Sequence, residues 1–247
     1  MIILKIGGSA FSDKRTGKSF VNMVARNVAK ELSRSEKVLI VQGAGYVGHS
    51  IASKYKIYRL DGNQHEWALL RYNVGQVTNA ISKAMIDNGH APMTLSASSF
   101  FKIESGRTIV KNLDILRDYL NMGFMPLMHS DAPIDSKNGL SILSGDDMAV
   151  LLANRLNAGT LIFGTDVDGI YDKSRKTIGS IHKKDLKKIS ISDNDTSGAI
   201  DVTGGMKGKL MQIYKAKKGV KVYIINLRKR GELRKAVNGK KTGTCIS

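Results

Sequence analysis

With one cysteine in 247 residues, Cys245, an intramolecular disulfide is excluded, and a chain of this length buries enough surface to fold without one. The thiol reads as a spectator in a reducing compartment. Prolines number three, and no Ser/Gly linker or internal repeat interrupts the chain, which argues against independent domains on a string. No apolar run approaches the roughly 18 residues of a membrane span. The opening MIILKIGGSA lacks the charged start and long apolar run of a signal peptide, so the expectation is a cytoplasmic protein with no membrane partner. Aromatic residues make up 6% and do not interleave with basic ones, as they would on a stacking platform for single strands. Acidic side chains are also scarce, 21 against 39 lysines and arginines, and the formal charge of +18 favours phosphate-bearing ligands. The basic runs KKDLKK (183–188) and LRKRGELRK (227–235) read as solvated faces, and no specific nucleic-acid partner is expected.

What the chain does contain is a recurring order of apolar strand, glycine turn and amphipathic helix. Ile2 to Ile6 is followed by Gly7-Gly8-Ser9, then by Phe20, Val24, Val28 and Leu32 at i, i+4 spacing. Val38 to Val41 leads to Gly43-Ala44-Gly45. Leu70, Val74, Val77, Ile81 and Met85 then mark a long helix closed by Gly89 and Pro92. A helix from about Leu113 to Met122 stopped by Gly123, a short strand at Leu127-Met128 and a helix from about Asp146 to Leu156 continue the order. Thr160 to Phe163 and Val222 to Ile225 read as further buried strands. Such alternation predicts a parallel sheet with helices on its faces, with a soft lobe boundary near residue 156.

Gly7-Gly8-Ser9 and Gly43 to Gly48 both follow strands. At the carboxyl edge of an open parallel sheet such turns face one crevice, where backbone N–H groups and helix N-termini hold phosphate. Lys5 stands near the end of a buried strand, an expensive place for an ammonium group unless a phosphate or carboxylate compensates it; a lysine snorkelling to solvent is the plainer alternative. Neither a P-loop nor a dinucleotide-type glycine signature precedes the first helix. Asp166 and Asp168 read either as a metal pair or, at least as often, as turn formers. His65, His90, His129 and His182 have no metal-ligand spacing, and no metal site is assigned.

Five segments, LKIGGSAFSDK (4–14), QGAGYVGH (42–49), LSGDD (143–147), GTDVDGIYDK (164–173) and DVTGGMKGK (201–209), together resemble the amino acid kinase superfamily along essentially the whole chain. The resemblance implies an αβα sandwich around a mostly parallel sheet. It implies a single domain of residues 1–247 with an acceptor-binding N-terminal lobe (about 1–156) and an ATP-binding C-terminal lobe (about 157–247). Gly48-His49, Ser144-Gly145-Asp146-Asp147 and Asp13-Lys14 look like the isopentenyl phosphate kinase family, which makes isopentenyl diphosphate with ATP in mevalonate-type isoprenoid synthesis. What this implies for the site is that Lys5 and Lys209 meet the transferring phosphoryl oxygens, Lys14 meets the nucleotide's terminal phosphates, Asp146 orients the lysines and His49 grips the acceptor phosphate. Gly43, Ala44, Gly48, Ser144 and Gly145 would join His49 around the acceptor. Ile6, Gly7, Gly8, Ser9, Ala44, Asp166, Tyr171, Gly204 and Gly205 would join Lys5 and Lys209 around ATP. Mg²⁺ is expected on phosphates and water, and no general base is needed because a phosphomonoester oxygen is already anionic near neutral pH. A homodimer is implied as well.

The acceptor's hydrocarbon tail needs an apolar pocket, and the Leu70–Met85 helix is its nearest candidate, although such a stripe is more often core. The segment from Tyr55 to Trp67 is basic and polar and receives no element. The second turn reads Gly43-Ala44-Gly45 where the family usually has three glycines, and Gln42 stands where histidine is common; the methyl of Ala44 is tolerated if φ there is negative. Two alternatives stay open: a kinase of the same fold acting on a carboxylate, phosphonate or nucleoside monophosphate, and a non-catalytic nucleotide- or nucleic-acid-binding protein.

Overall fold

Five consecutive buried residues, Ile2–Ile6, form the central strand β1 of a computed structural model that describes residues 1–13, 16–188 and 205–247. The helices α1 (Gly8–Phe11) and α2 (Val21–Glu31) follow, then β2 (Val38–Gln42), α3 (Gly45–Lys54), α4 (Gln64–Asp87) and β3 (Pro92–Thr94). A hairpin of β4 (Phe101–Glu104) and β5 (Arg107–Val110) precedes α5 (Leu113–Asn121), β6 (Met125–His129), β7 (Ile134–Asp135) and β8 (Gly139–Leu140). The chain continues through α6 (Gly145–Arg155), β9 (Thr160–Thr165), β10 (Ser180–Ile181), α7 (Gly205–Tyr214), β11 (Lys221–Asn226), α8 (Glu232–Val237) and β12 (Thr244–Ile246).

Among the described residues the main sheet has eight strands in the order β10-β12-β11-β9-β1-β2-β6-β3. All pairings are parallel except that of β12 with β11. The expected αβα sandwich is what the chain forms. Strand alternation divides the core between the two faces. Ile3, Leu39, Val41, Leu161, Phe163, Val222 and Ile224 pack with α5, α6 and α7, whereas Leu4, Ile6, Ile40, Ile162, Tyr223 and Ile225 pack with α2, α4 and α8. Each fully buried side chain of this size contributes roughly 1.5–3 kcal/mol. Lys5 is odd-numbered like Ile3, so its side chain emerges on the face covered by α6.

The strand order places β1 between β2 and β9, a topological switch point, and ligands of open α/β sheets bind outside the carboxyl ends of strands there. A smaller sheet, β5-β4-β7-β8, is an addition that the alternation did not announce. Its β4–β5 hairpin turns on Ser105-Gly106, both at positive φ (49° and 75°), the backbone that a two-residue hairpin of this hand requires. Pro92 does more than close α4, since it opens β3, and that strand's place at the sheet edge is where proline is tolerated.

Candidate active site

The two glycine turns meet backbone to backbone. A Cβ on Gly8 would stand 2.6 Å from the Cα of Gly45, one on Gly43 2.9 Å from the N of Gly8, and one on Gly7 2.6 Å from the carbonyl oxygen of Gly164. Gly45, at φ +66°, needs glycine for its backbone as well. Ser12 bridges the turns: its hydroxyl donates to the Gly8 carbonyl (2.8 Å) and accepts from the N–H of Tyr46 (2.9 Å). Ala44 lies at φ −68°, ψ −27°, so the methyl group is unstrained, and it packs against Gly48, where a second methyl would collide with it.

These turns open one cavity of about 700 Å³. Its cationic centre is a carboxylate shared by two lysines. Asp146 Oδ1 lies 2.6 Å from Lys5 Nζ, and Oδ2 lies 2.6 Å from Lys209 Nζ. Lys5 arrives from β1, Asp146 from the first turn of α6, and Lys209 from α7, where its ammonium also stands 4.9 Å from the ring centre of Phe163. Both lysines are only 8% exposed. Burial alone would push the Asp146 carboxyl up, but the ammonium groups of Lys5 and Lys209 outweigh it and hold the group well below the usual carboxylate range. The helix start assists, because α6 begins with Ser144 as N-cap, accepting from the N–H of Asp147 (3.1 Å) while its hydroxyl donates to the Asp147 carboxylate (2.7 Å).

Gly7, Gly8, Ser9, Gly43, Ala44, Gly48, His49, Ser144, Gly145, Asp166 and Gly205 also line the cavity. Its wall turns apolar at Ala52, Leu70, Val74, Ala132 and Ile142. The structure therefore brings together the residues singled out in sequence, with these exceptions. Ile6 is fully buried in the core, where its carbonyl accepts from the N–H of Gly43 (2.8 Å). Tyr171 does not line the cavity, and its hydroxyl accepts from the backbone N–H of Asp168 (3.2 Å). Lys14 and Gly204 lie outside the described residues.

Across residues 1–226 the chain matches a family model described as the amino acid kinase family. The chain belongs to the amino acid kinase family. Within the family it is similar to isopentenyl phosphate kinase of Methanocaldococcus jannaschii, 32% identical over all of this chain and 98% of that protein. It is similar also to isopentenyl phosphate kinase of Methanothermobacter thermautotrophicus, 30% identical over all of this chain and 99% of that protein. A solved product complex of T. acidophilum isopentenyl phosphate kinase superposes with a TM-score of 0.79 at 25% identity, covering both chains completely. This member of the amino acid kinase family is accordingly a phosphotransferase, and its family implies the use of ATP.

Several residues in or beside the cavity were missed in sequence. Asn226, at the end of β11, donates to the carbonyl of Asp166 (3.1 Å) and to the Asp168 carboxylate (2.9 Å), and Lys229 pairs with Asp168 at 2.6 Å. The Lys229 ammonium and the Asn226 amide hold the Asp168 carboxyl below its ordinary value. Asp168 is thus engaged by the residues that follow β11, while Asp166 lines the cavity. Arg71 lines the apolar end, with its Nε 2.9 Å from Asp131 Oδ1, and the Asp131 side chain is completely buried, accepting from the N–H groups of Ala132 (2.8 Å) and Ser98 (3.0 Å). Burial would raise that carboxyl, yet these N–H groups and the Arg71 guanidinium bring it down. Nothing local announces a pair as distant as Arg71 and Asp131.

Proposed function

We propose that this protein transfers the γ-phosphoryl group of ATP to isopentenyl phosphate, giving isopentenyl diphosphate and ADP. The observation that supports it best is the cavity itself: Lys5 and Lys209 paired with Asp146 in the cavity that the glycine turns line, and His49 in the same cavity as an apolar wall of Ala52, Leu70, Val74, Ala132 and Ile142. In this reading residues up to about 156 carry the acceptor and residues 157–247 the nucleotide. A phosphate oxygen of the acceptor attacks the γ-phosphorus as the bond to the β–γ bridging oxygen breaks, and that electron pair leaves with ADP. Phosphoryl transfer asks the protein chiefly for alignment and charge neutralisation. Lys5 and Lys209 neutralise the transferring oxygens, Asp146 fixes the lysines' positions, and His49 holds the acceptor's phosphate so that its tail lies along the apolar wall.

Magnesium supplies charge neutralisation between the phosphates when bound. The residues present fit an ion carried by phosphate and water: Asp146 and Asp168 are engaged by cations, and Asp166 is the carboxylate of the 164–173 loop that lines the cavity. Lys14, Tyr171 and Gly204 retain their proposed nucleotide roles by family resemblance, as do the homodimer and the cytoplasmic location. A second reading, a smaller or more polar acceptor, is favoured by one observation, the Arg71 guanidinium on the wall where the tail would lie.

The test is ATP turnover with isopentenyl phosphate against panels of amino acids, phosphonates and nucleoside monophosphates, for wild type, His49→Ala and Lys209→Ala. Diphosphate formation that is strongly reduced in both variants is the expected result. Turnover with another acceptor alone moves the function to that acceptor, and no turnover with any acceptor refutes the kinase reading.

A further inference from the structure

The basic run 227–235 is not simply a solvated face. Arg228 follows β11 directly and is half-buried, with its backbone fixed by the N–H of Arg228 donating to Asn226 Oδ1 (3.0 Å) and by the N–H of Leu227 donating to the Thr165 carbonyl (2.9 Å). Its Nε donates to the carbonyl of Ala10 (2.9 Å), its Nη2 to the carbonyl of Ser9 (2.7 Å), and the guanidinium lies 4.1 Å from the ring centre of Phe20. It thereby joins the strand end beside the 164–173 loop to the first glycine turn, across more than two hundred residues of sequence. The same side chain lines the cavity together with Ser9, Thr165, Asp166 and Val167.

Two carbonyls and an aromatic face orient a guanidinium but do not neutralise it. Among the described residues Arg228 makes no ion pair and has no further bonding partner. Arginine carries its charge at any ordinary pH, and its planar fork has more N–H donors than the two used here. A half-buried, rigidly held cation on the wall of a cavity, lacking a carboxylate, is a place where an anion gains more than it does at the protein surface. The side of the cavity it occupies, between the Gly7-Gly8-Ser9 turn and the Asp166 loop, is the side given above to the nucleotide.

We propose that Arg228 is a further nucleotide-binding residue, which holds the Gly7-Gly8-Ser9 turn in place through the Ser9 and Ala10 carbonyls and presents the rest of its guanidinium to the nucleotide's phosphates. The proposal rests on the kinase reading for the identity of its ligand. A lysine at this position keeps the charge but cannot bond both carbonyls and stack on Phe20 at once.

The experiment measures dissociation constants of ADP and adenosine, the latter by competition, for wild type, Arg228→Met and Arg228→Lys, with melting temperatures taken alongside. A lost charge-assisted contact weakens ADP roughly ten- to a hundredfold in Arg228→Met, while adenosine changes less than about twofold; Arg228→Lys recovers part of the ADP loss. ADP affinity within about twofold of wild type in Arg228→Met overturns the proposal. So does an equal loss for ADP and adenosine, with or without a lowered melting temperature, because that pattern belongs to a merely structural residue. If neither nucleotide binds wild type, the proposal and the kinase reading fall together. If ADP binds as expected and isopentenyl phosphate is not phosphorylated, only the acceptor reading falls.

Discussion

Replacing Asp146 by asparagine keeps the shape of the site and removes the one charge that holds Lys5 and Lys209 together. Each ammonium lies 2.6 Å from its own carboxylate oxygen and is 8% exposed. Breaking a buried ion pair by removing one partner costs roughly 3–5 kcal/mol. Here the cavity lets water reach the stranded lysines, which places Asp146→Asn near the lower end, about 3 kcal/mol. For a chain of this size a melting temperature falls by roughly 2–4 °C per kcal/mol, so the drop is roughly 6–12 °C at pH 7 by calorimetry. Nucleotide phosphates restore the missing negative charge, and ATP is expected to raise the variant's melting temperature more than it raises that of wild type. The pH dependence has a definite sign. The folded carboxyl of Asp146 titrates below its unfolded value of about 3.9, so its contribution is fully present above that value and is lost as pH falls through the folded range. The difference between wild type and variant should be flat from pH 5 to 8 and shrink only in strong acid. A variant that melts within about 1 °C of wild type, with equal ATP shifts, would refute the reasoning.

Gly8→Ala drives a methyl group to 2.6 Å from the backbone of Gly45; a loss of roughly 1–3 kcal/mol in urea unfolding is expected, together with weaker ATP binding in a titration. Gly48→Ala collides with the methyl of Ala44, and Ala44→Gly in the same chain relieves the collision. Stability curves for the double-mutant cycle should therefore give a favourable coupling of roughly 0.5–3 kcal/mol, and additive effects would disprove the contact. Asp135 is held at about 2 by the Ser141 hydroxyl, the Lys137 N–H and the Asn138 side chain. Its folded value is depressed, so the stability it provides is present above about pH 3.9 and fades toward pH 2. An acid titration of Asp135→Asn followed by circular dichroism should show a shallower stability loss in that window than wild type.

What could be read from the sequence was whatever repeats locally. The strands β1, β2, β9 and β11 are short unbroken apolar runs, and the helices α2 and α4 carry apolar residues at helical spacing, so their existence and parallel arrangement followed from periodicity. The start of α4 did not. Asn63 and Trp67 lie in a polar stretch, but the indole N–H donates to Asn63 Oδ1 (3.1 Å) and the ring packs with Ile57, Leu70 and Val74. Phe101–Val110 alternates around Ser-Gly, a hairpin signal that stands outside the recurring order of strand, turn and helix. In the site, glycines and Lys5 were legible because each is costly where it stands without a ligand or a close backbone neighbour. Arg71, Asp131, Asn226 and Arg228 had no such signature. The pairing of Arg71 with Asp131 and the bond of Asn226 to the Asp166 carbonyl each span 60 residues and that of Arg228 to the Ser9 carbonyl 219, and only the assembled sheet brings them together.

The arrangement of charge also explains why so basic a chain places a carboxylate at the centre of its site. Two ammonium groups on opposite oxygens of one carboxylate stand roughly 5 Å apart, and at an effective dielectric constant near 20 their repulsion is about 3 kcal/mol. Without Asp146 that repulsion, added to the cost of burial, would push the lysines toward solvent before any phosphate arrived. With it, β1 and α7 deliver two cations at a fixed spacing, and the trio keeps one net positive charge. In the proposed reaction an incoming phosphate would meet donors that need no reorganisation, which is the condition under which electrostatic stabilisation acts on the transferring group rather than being consumed in assembling the site. The +18 of the whole chain draws anions toward the surface, but the alignment is produced by three side chains whose positions follow from strand alternation, a capped helix start and one turn of α7.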